Sequence, residues 1–399
     1  MKKLVTIAAV VLVFLFLLLQ PVRDNFEHIS SEPQELNLWG VYDLPEAYEA
    51  SISAFSKLYP QITVHYKQFP HWEEYYRVLE SELKKGAGPD IFVFDESKKD
   101  QFWPFLMPGH RRHAQGFAPF VEQELVQDNL LFGLPLWVDS LLIYYNSQYY
   151  PQGIPGDWHA LGKLTQEVGI PGMAMGELEQ LRSGWDILRA LLLQKSVILQ
   201  GQAPGSLFDT VDFFIRFAYP IDPFFNWSGQ IAAAYPDKEV DIFLRGRVAA
   251  IAGFSSLHDY LQLRSRQLRE LGVQRSIAPE QIGLAQFPQL RVDQPQYLGK
   301  YAALGVSLHS QTPNAAWEFI RFLTSENQIG FYEQLTRRTS GRLRPEQAAD
   351  TELMKLQRQQ LKNLGIYRLG EEQKSKIQSV VARALKNRGL LRELLDLNF

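Results

Sequence analysis

The chain has 399 residues, 46% of them apolar and 21% charged, with 27 Gly, 22 Pro and no Cys. At roughly 100 to 200 residues per domain this length supports two lobes, each burying its own core, and the composition excludes disorder, collagen and coiled coil as whole-chain descriptions. Without cysteine there is no disulfide framework, thiolate zinc site, iron–sulfur cluster, cysteine nucleophile or lipid-carrying cysteine. The net charge of -3 gives no global reason to expect a nucleic-acid partner. It is unevenly spread, because residues 335–399 hold 14 Lys+Arg against 7 Asp+Glu. Those basic residues alternate with Leu and Ile at helical spacing, so the tail reads as a solvated helix face.

Lys2 and Lys3 precede residues 4–19, in which only Thr6 is polar, and this order is that of an export signal. No small-x-small cleavage pattern follows at Gln20-Pro21-Val22-Arg23, so an uncleaved signal anchor is expected over residues 1–22, with a polar tether over 23–35. At 1.5 Å per residue the apolar run spans about 24 Å, against about 30 Å of hydrocarbon, so its flanks must help. The lysines place the N-terminus in the cytoplasm and the remainder on the extracytoplasmic face of the membrane, or in the periplasm if the signal is cleaved.

Leu36, Leu38 and Val41 read as a buried strand ending at Tyr42-Asp43. Pro45 opens a helix whose stripe is Tyr48, Ile52, Phe55 and Tyr59, and Pro60 closes it. Ile62, Val64 and Tyr66 alternate as a second strand, Trp72, Tyr76, Leu79 and Leu83 form the next helical stripe, and residues 90–95 are a third strand. This β-α-β-α-β order predicts a parallel sheet covered by helices. Ligands of such sheets sit beyond the carboxyl ends of the strands, where Trp39, Tyr42, Asp43 and Asp95 fall. Residues 131–146 are too long and apolar for one ordinary strand and read as a crossing between lobes, as do residues 301–307. Further helices are expected over 155–164 and 183–199, strands near 243–251 and 282–287, a helix capped by Thr312 and opened by Pro313, and mainly helix from Pro345.

The order and spacing of eight segments resemble a family, the extracytoplasmic solute-binding proteins of ABC importers, in the sugar-binding branch that includes maltose-binding protein. The segments are LNLWGVYD, AFSKLYPQITV, GAGPDIFVFDE, LFGLPLWVDSLLIYYN, PGDWHAL, FLRGRVAAIAGFSS, IGLAQFPQ and LGKYAALGVSLHSQTPNAAWEFIRFLTS. The resemblance implies an α/β fold of two lobes joined by a hinge, with the first lobe over 36–138 and 304–333 and the second over 139–303 and 334–399. It implies crossings near 137–141, near 302–304 and after 331. It also implies a monomer that binds a carbohydrate between the lobes, delivers it to the transmembrane subunits of an ABC permease, needs no cofactor and breaks no bond. Carried over by position, Trp39, Tyr42, Asp43, Asp95, Asp139 and the Gly253-Phe254-Ser255 turn match places where the family touches ligand.

A sugar needs aromatic planes for its C–H faces and planar acceptors for its hydroxyls. Trp39, Tyr42, Trp137, Trp185, Trp227 and Phe254 are candidate planes, and Asp43, Asp95 and Asp139 candidate acceptors. Each also has a plainer role, the aromatics as core and Asp43 as a helix cap. A non-sugar solute, a peptide or anionic polyol held by Arg342, is the alternative ligand, and an envelope glycosidase the alternative activity. Neighbours Asp95 and Glu96 point to opposite faces of a strand and cannot flank one glycosidic bond. His110-Arg111-Arg112-His113 sets arginines beside its two histidines, which opposes a metal. Gly86-x-Gly88 lacks a third Gly, and no Gly-x-Ser-x-Gly, His-Glu-x-x-His or phosphate loop is present.

Overall fold

The computed structural model describes residues 29–198, 205–227 and 235–396. The expected membrane anchor, and residues 23–28 of its tether, lie outside the described residues, among which no helix is long and apolar enough to cross a membrane.

The first lobe begins as the sequence predicts. Strand β1 (Gln34–Val41) is followed by helix α1 (Glu46–Leu58), strand β2 (Ile62–Phe69), helix α2 (Trp72–Lys84) and strand β3 (Ile91–Asp95). β1 pairs in parallel with β2 on one side and β3 on the other. α1 carries Glu46 and Glu49 in its first turn and Lys57 in its last, which suits the helix dipole, and it buries Tyr48, Ser51 and Phe55 on one face. Strand β4 (Leu134–Asn146) then runs for 13 residues, nearly all buried. The second lobe adds helices α3 (Trp158–Leu164), α4 (Gly184–Ile198), α5 (Gly205–Ile215) and α6 (Lys238–Leu244), strand β5 (Ala250–Phe254), helix α7 (Leu257–Glu270) and strand β6 (Ile282–Gln286). Strand β7 (Tyr297–Ser307) returns to the first lobe, followed by helices α8 (Pro313–Leu323) and α9 (Glu326–Thr336). Helices α10 (Glu352–Gln360) and α11 (Glu371–Ala384) complete the chain with a 3-10 segment, Arg388–Asp396. Pro313 occupies the first turn of α8 as expected, but the Thr312 side chain makes no capping hydrogen bond.

One mixed sheet runs through both lobes in the order β6-β4-β7-β3-β1-β2, with β5 also beside β4. β4 exchanges partners along its length. Its first half pairs with β7, from Leu134 to Ser140, and its second half pairs with β5 and β6, from Leu141 onward. The cores divide at the same place, since Val138 and Tyr301 belong to the first and Leu141 and Leu298 to the second. The two crossings are therefore side by side at Asp139-Ser140 and Gly299-Lys300, which are register partners. The second crossing falls before the 302–304 expected from the sequence, because Tyr301 to Leu304 are fully buried in the first core.

The third passage is more gradual than expected. α9 ends at Arg337, whose φ of 56° turns the chain back. The backbone then bonds to the first lobe, with Val138 N–H donating to Thr339 O at 2.8 Å and Ala118 N–H to Gly341 O at 2.9 Å. Residues 339–343, assigned above to the second lobe, thus lie on the first. Leu361 and Leu364 also pack in the first core, while Leu353 already touches the second lobe, and the chain settles into the second core from Tyr367 and Leu369 onward. Between these points Arg358 and Glu333 form a buried pair, Nη2 to Oε2 at 2.8 Å, while Arg344 also reaches Glu333 and Asp350 also holds Arg358.

Candidate functional site

A cleft of about 980 Å³ opens where the crossings meet. Tyr42 and Trp72 line it from the first lobe, Trp137 and Asp139 from β4, and Ser255, Ser256, His258 and Asp259 from the β5–α7 turn of the second. Arg337, Arg338 and Gln357 close it from the third passage. A smaller recess of about 750 Å³ continues on the second-lobe side, where Phe254, Asp186, Glu239 and Lys300 line it. Asp139 and Ser256 belong to both.

Asp139 owes this position to the strand exchange, which sets it at the last residues of β4 that still pair with β7. Its Oδ1 accepts from the Ser255 hydroxyl and from Ser256 N–H, the latter at 3.2 Å. Gln357 Nε2 donates to Ser255 Oγ at 2.6 Å, and its Oε1 accepts from the Thr339 hydroxyl at 2.9 Å. One polar chain thus joins β4, the second lobe and the third passage. His258 is held below its ordinary pKa by burial, against the pull of Asp259 and Glu352.

Tyr42 is the most exposed of the predicted aromatics at 47%, with φ 65°, and it meets Trp72 edge-on at 6.4 Å between ring centres. Trp72 was read above only as part of a helical stripe. Its place directly beyond the carboxyl end of β2 was the available signal. Arg338 was also missed, and it rests 5.1 Å from the Trp137 ring centre. It follows the end of α9, where the third passage begins, so a charge there was the clue.

Asp43 sits behind the cleft wall. Its oxygens accept from Tyr48 Oη at 3.0 Å, Tyr332 Oη at 2.7 Å and Arg338 Nη1 at 2.9 Å. Burial, then the charge of Asp43, raise both phenols far above the ordinary tyrosine value, so they stay donors. Asp43 therefore neither caps α1 with its side chain nor offers a free acceptor, but fixes Arg338. Asp95 closes its own turn, accepting from Ser97 N–H at 2.9 Å and Lys98 N–H at 3.1 Å, and does not line the cleft. Trp39 packs on the first core with Phe69 at 5.2 Å and Lys67 over its ring. Trp227 is fully buried in a second-lobe core and is no platform for a ligand.

Phe254 is 8% exposed, and Lys300 covers its ring at 3.6 Å from the centre. Trp185 lines a shallow recess with Arg182 and donates to Glu179 Oε1 at 3.4 Å. Arg342, the expected anion clamp, is spent within the first lobe. Its Nε donates to Thr324 O at 2.6 Å, and its guanidinium lies 4.5 Å from the Phe117 ring centre. His110 and His113 lie 6.1 Å apart by ring centres, and no metal-binding cluster occurs among the described residues.

Known structures of the same fold cover nearly the whole chain. A cyclo/maltodextrin-binding protein complexed with maltotetraose has a TM-score of 0.71 at 15% identity, over 92% of this chain and 95% of that one. An extracellular solute-binding protein from Staphylococcus aureus in complex with maltose gives 0.68 at 13% identity, over 92% and 96%. The sugar-binding protein MalE from Xanthomonas citri gives 0.68 at 15% identity, over 91% and 95%. No curated protein sequence matches the chain. The family model described as bacterial extracellular solute-binding protein matches residues 43–329, most of the two-lobed body, and the chain belongs to that family.

Proposed function

We propose that this protein is the carbohydrate receptor of an ABC importer, closing its two lobes on an oligosaccharide and presenting it to the transmembrane subunits. The observation that carries the reading is the composition of the cleft at Asp139. Rings from the first lobe and from β4 (Tyr42, Trp72, Trp137) face carboxylate and hydroxyl groups of β4 and the second lobe (Asp139, Ser256, Asp259). Aromatic faces receive the apolar side of a pyranose, and the planar polar groups receive its hydroxyls. The structures of the same fold named above hold maltotetraose and maltose, which supports the same ligand class here.

Closure is a hinge motion, and a ligand drives it only by the contacts it gains in the closed state. Asp139 and Lys300 lie on the two crossing strands themselves, so a guest touching Asp139 engages the pivot. The reading includes binding without bond cleavage, an extracytoplasmic location, a monomer, and attachment through residues 4–19. Calorimetry of the purified chain with maltose, maltotriose, maltotetraose and unrelated sugars tests it. Micromolar or tighter binding with the sugar recovered intact is expected. Release of shorter sugars makes the protein a glycosidase, and heat only with peptides or polyol phosphates makes it another kind of receptor.

A further inference from the structure

We infer that the second lobe carries an anion site at its outer pole, separate from the cleft and built for a phosphate-class group. A groove of about 1030 Å³ lies there, beside Asn146 at the end of β4 and Gln281 before β6. The second-lobe half of β4, from Leu141 to Asn146, separates it from the crossings by roughly 17 Å at strand rise. It shares no lining residue with the cleft.

Four arginines line the groove, Arg245, Arg247, Arg269 and Arg275, and among the described residues that line it there is no Asp or Glu. Like charges gathered in one concavity repel, and an anion relieves that repulsion. Guanidinium forks match the planar pairs of oxygens on phosphate, and they shed water more readily than ammonium groups. The chain has also arranged these groups in advance. Tyr235 lies under both Arg245 and Arg247, 5.6 and 6.0 Å from its ring centre, and Arg247 Nη1 donates to its hydroxyl at 2.8 Å. Arg245 Nε is buried and has no hydrogen-bond partner among the described residues.

The two loops that carry the arginines are held against each other. Ile277 N–H donates to Leu244 O at 2.9 Å. Gly246, at φ 65°, lets the Arg275 carbonyl approach so closely that a Cβ there would meet it at 2.8 Å. Arg275 itself is held at φ 62°, a left-handed conformation that is unfavourable for a side-chain-bearing residue. A cation kept in a strained turn beside three others is an arrangement that folding alone does not favour. The groove therefore binds phosphate oxygens, whether on a soluble polyphosphate or on the headgroup of an anionic lipid.

The test uses the full-length protein and the double variant Arg247→Gln/Arg275→Gln, both side chains being exposed. Calorimetry with tripolyphosphate at 50 mM salt is expected to give sub-millimolar binding that weakens at least tenfold in the double variant and falls steeply at 500 mM salt. Flotation with phosphatidylcholine vesicles, with and without 30% phosphatidylglycerol, is the second arm. A phosphatidylglycerol-dependent gain that the double variant loses assigns the site to a headgroup, and loss of tripolyphosphate binding alone assigns it to a soluble ligand. Should the double variant melt more than about 5 °C below the parent, Arg269→Gln replaces it, with a threefold loss expected. Affinities unchanged by these substitutions in both arms, or no binding of either probe, overturn the proposal.

Discussion

Arg338 donates to the buried carboxylate of Asp43 at 2.9 Å, tying the start of the third passage to the loop that follows the first strand. The two residues are 295 positions apart. Removing a partner from a buried pair strands the other charge at a cost of about 3 to 5 kcal/mol, and Arg338 is one-third exposed, which reduces the figure to about 2. Arg338→Ala is expected to lower unfolding free energy by about that amount in urea, and to weaken ligand binding because Trp137 loses the guanidinium beside it. A variant with parental stability would show that the two phenols suffice for Asp43.

Asp139→Ala should separate binding from stability. It removes the acceptor at the junction of both recesses, while the apolar packing of β4 stays intact. Sugar affinity is expected to fall at least tenfold and the melting temperature by no more than about 4 °C, the shift of roughly 1 kcal/mol in a chain of this size. Equal affinity by calorimetry removes Asp139 from the site.

Trp72→Ala tests the aromatic wall of the first lobe. Trp72 also stacks on Tyr76 at 5.0 Å, so some loss of stability will accompany the change. An aromatic contact is worth about 0.5 to 1.5 kcal/mol beyond area burial, so affinity should drop by up to tenfold. Trp72→Phe keeps a plane and should recover most of it. If both variants bind alike, stacking at this position plays no part.

The buried group of Glu333, Arg344, Asp350 and Arg358 is expected to be the most sensitive point of the third passage. Arg358 and Glu333 are 2% and 1% exposed, and Arg358→Met leaves two carboxylates short of a partner. A loss of about 3 to 5 kcal/mol is expected in denaturant titration. A loss below 1 kcal/mol would mean that Arg344 takes over the site.

Glu96 gives the protein a pH dependence of known sign. Its carboxyl is pushed up to about 7, first by burial and then by the charge of Asp95, against the opposing pull of Lys300 and Arg189. The folded state therefore holds a proton that the unfolded chain releases near its ordinary value of 4.5. Stability contributed by this group is complete below about pH 4.5 and is lost as pH rises through 7, by an amount on the order of 3 kcal/mol. Melting curves of the parent and Glu96→Gln from pH 5 to 8 should diverge as pH rises, with the variant gaining. Parallel curves would refute the assignment.

Much of the first lobe was legible from the chain alone. The alternation at Leu36, Leu38, Ile62 and Val64, and the stripes of Tyr48 and Phe55 or Tyr76, Leu79 and Leu83, are local signals, and the structure has those strands and helices. Asp139 stood out in the sequence as an acid interrupting an apolar run expected to cross between lobes, and the structure places it at that crossing and on the cleft wall. Local pattern alone determined the order of elements, because burial on one face repeats at the period of the element that carries it.

Tertiary structure alone decided which polar and aromatic groups the cleft receives. Asp43 and Asp95 have the residue type of a ligand acceptor, yet one is saturated by Tyr48, Tyr332 and Arg338 and the other by its own turn. Trp227 has the residue type of a platform and is core, whereas Trp72 looks like core and faces the cleft. The physical reason is that a side chain's availability depends on partners that arrive from hundreds of residues away. Sequence spacing carries no record of those partners until the sheet brings its crossings together.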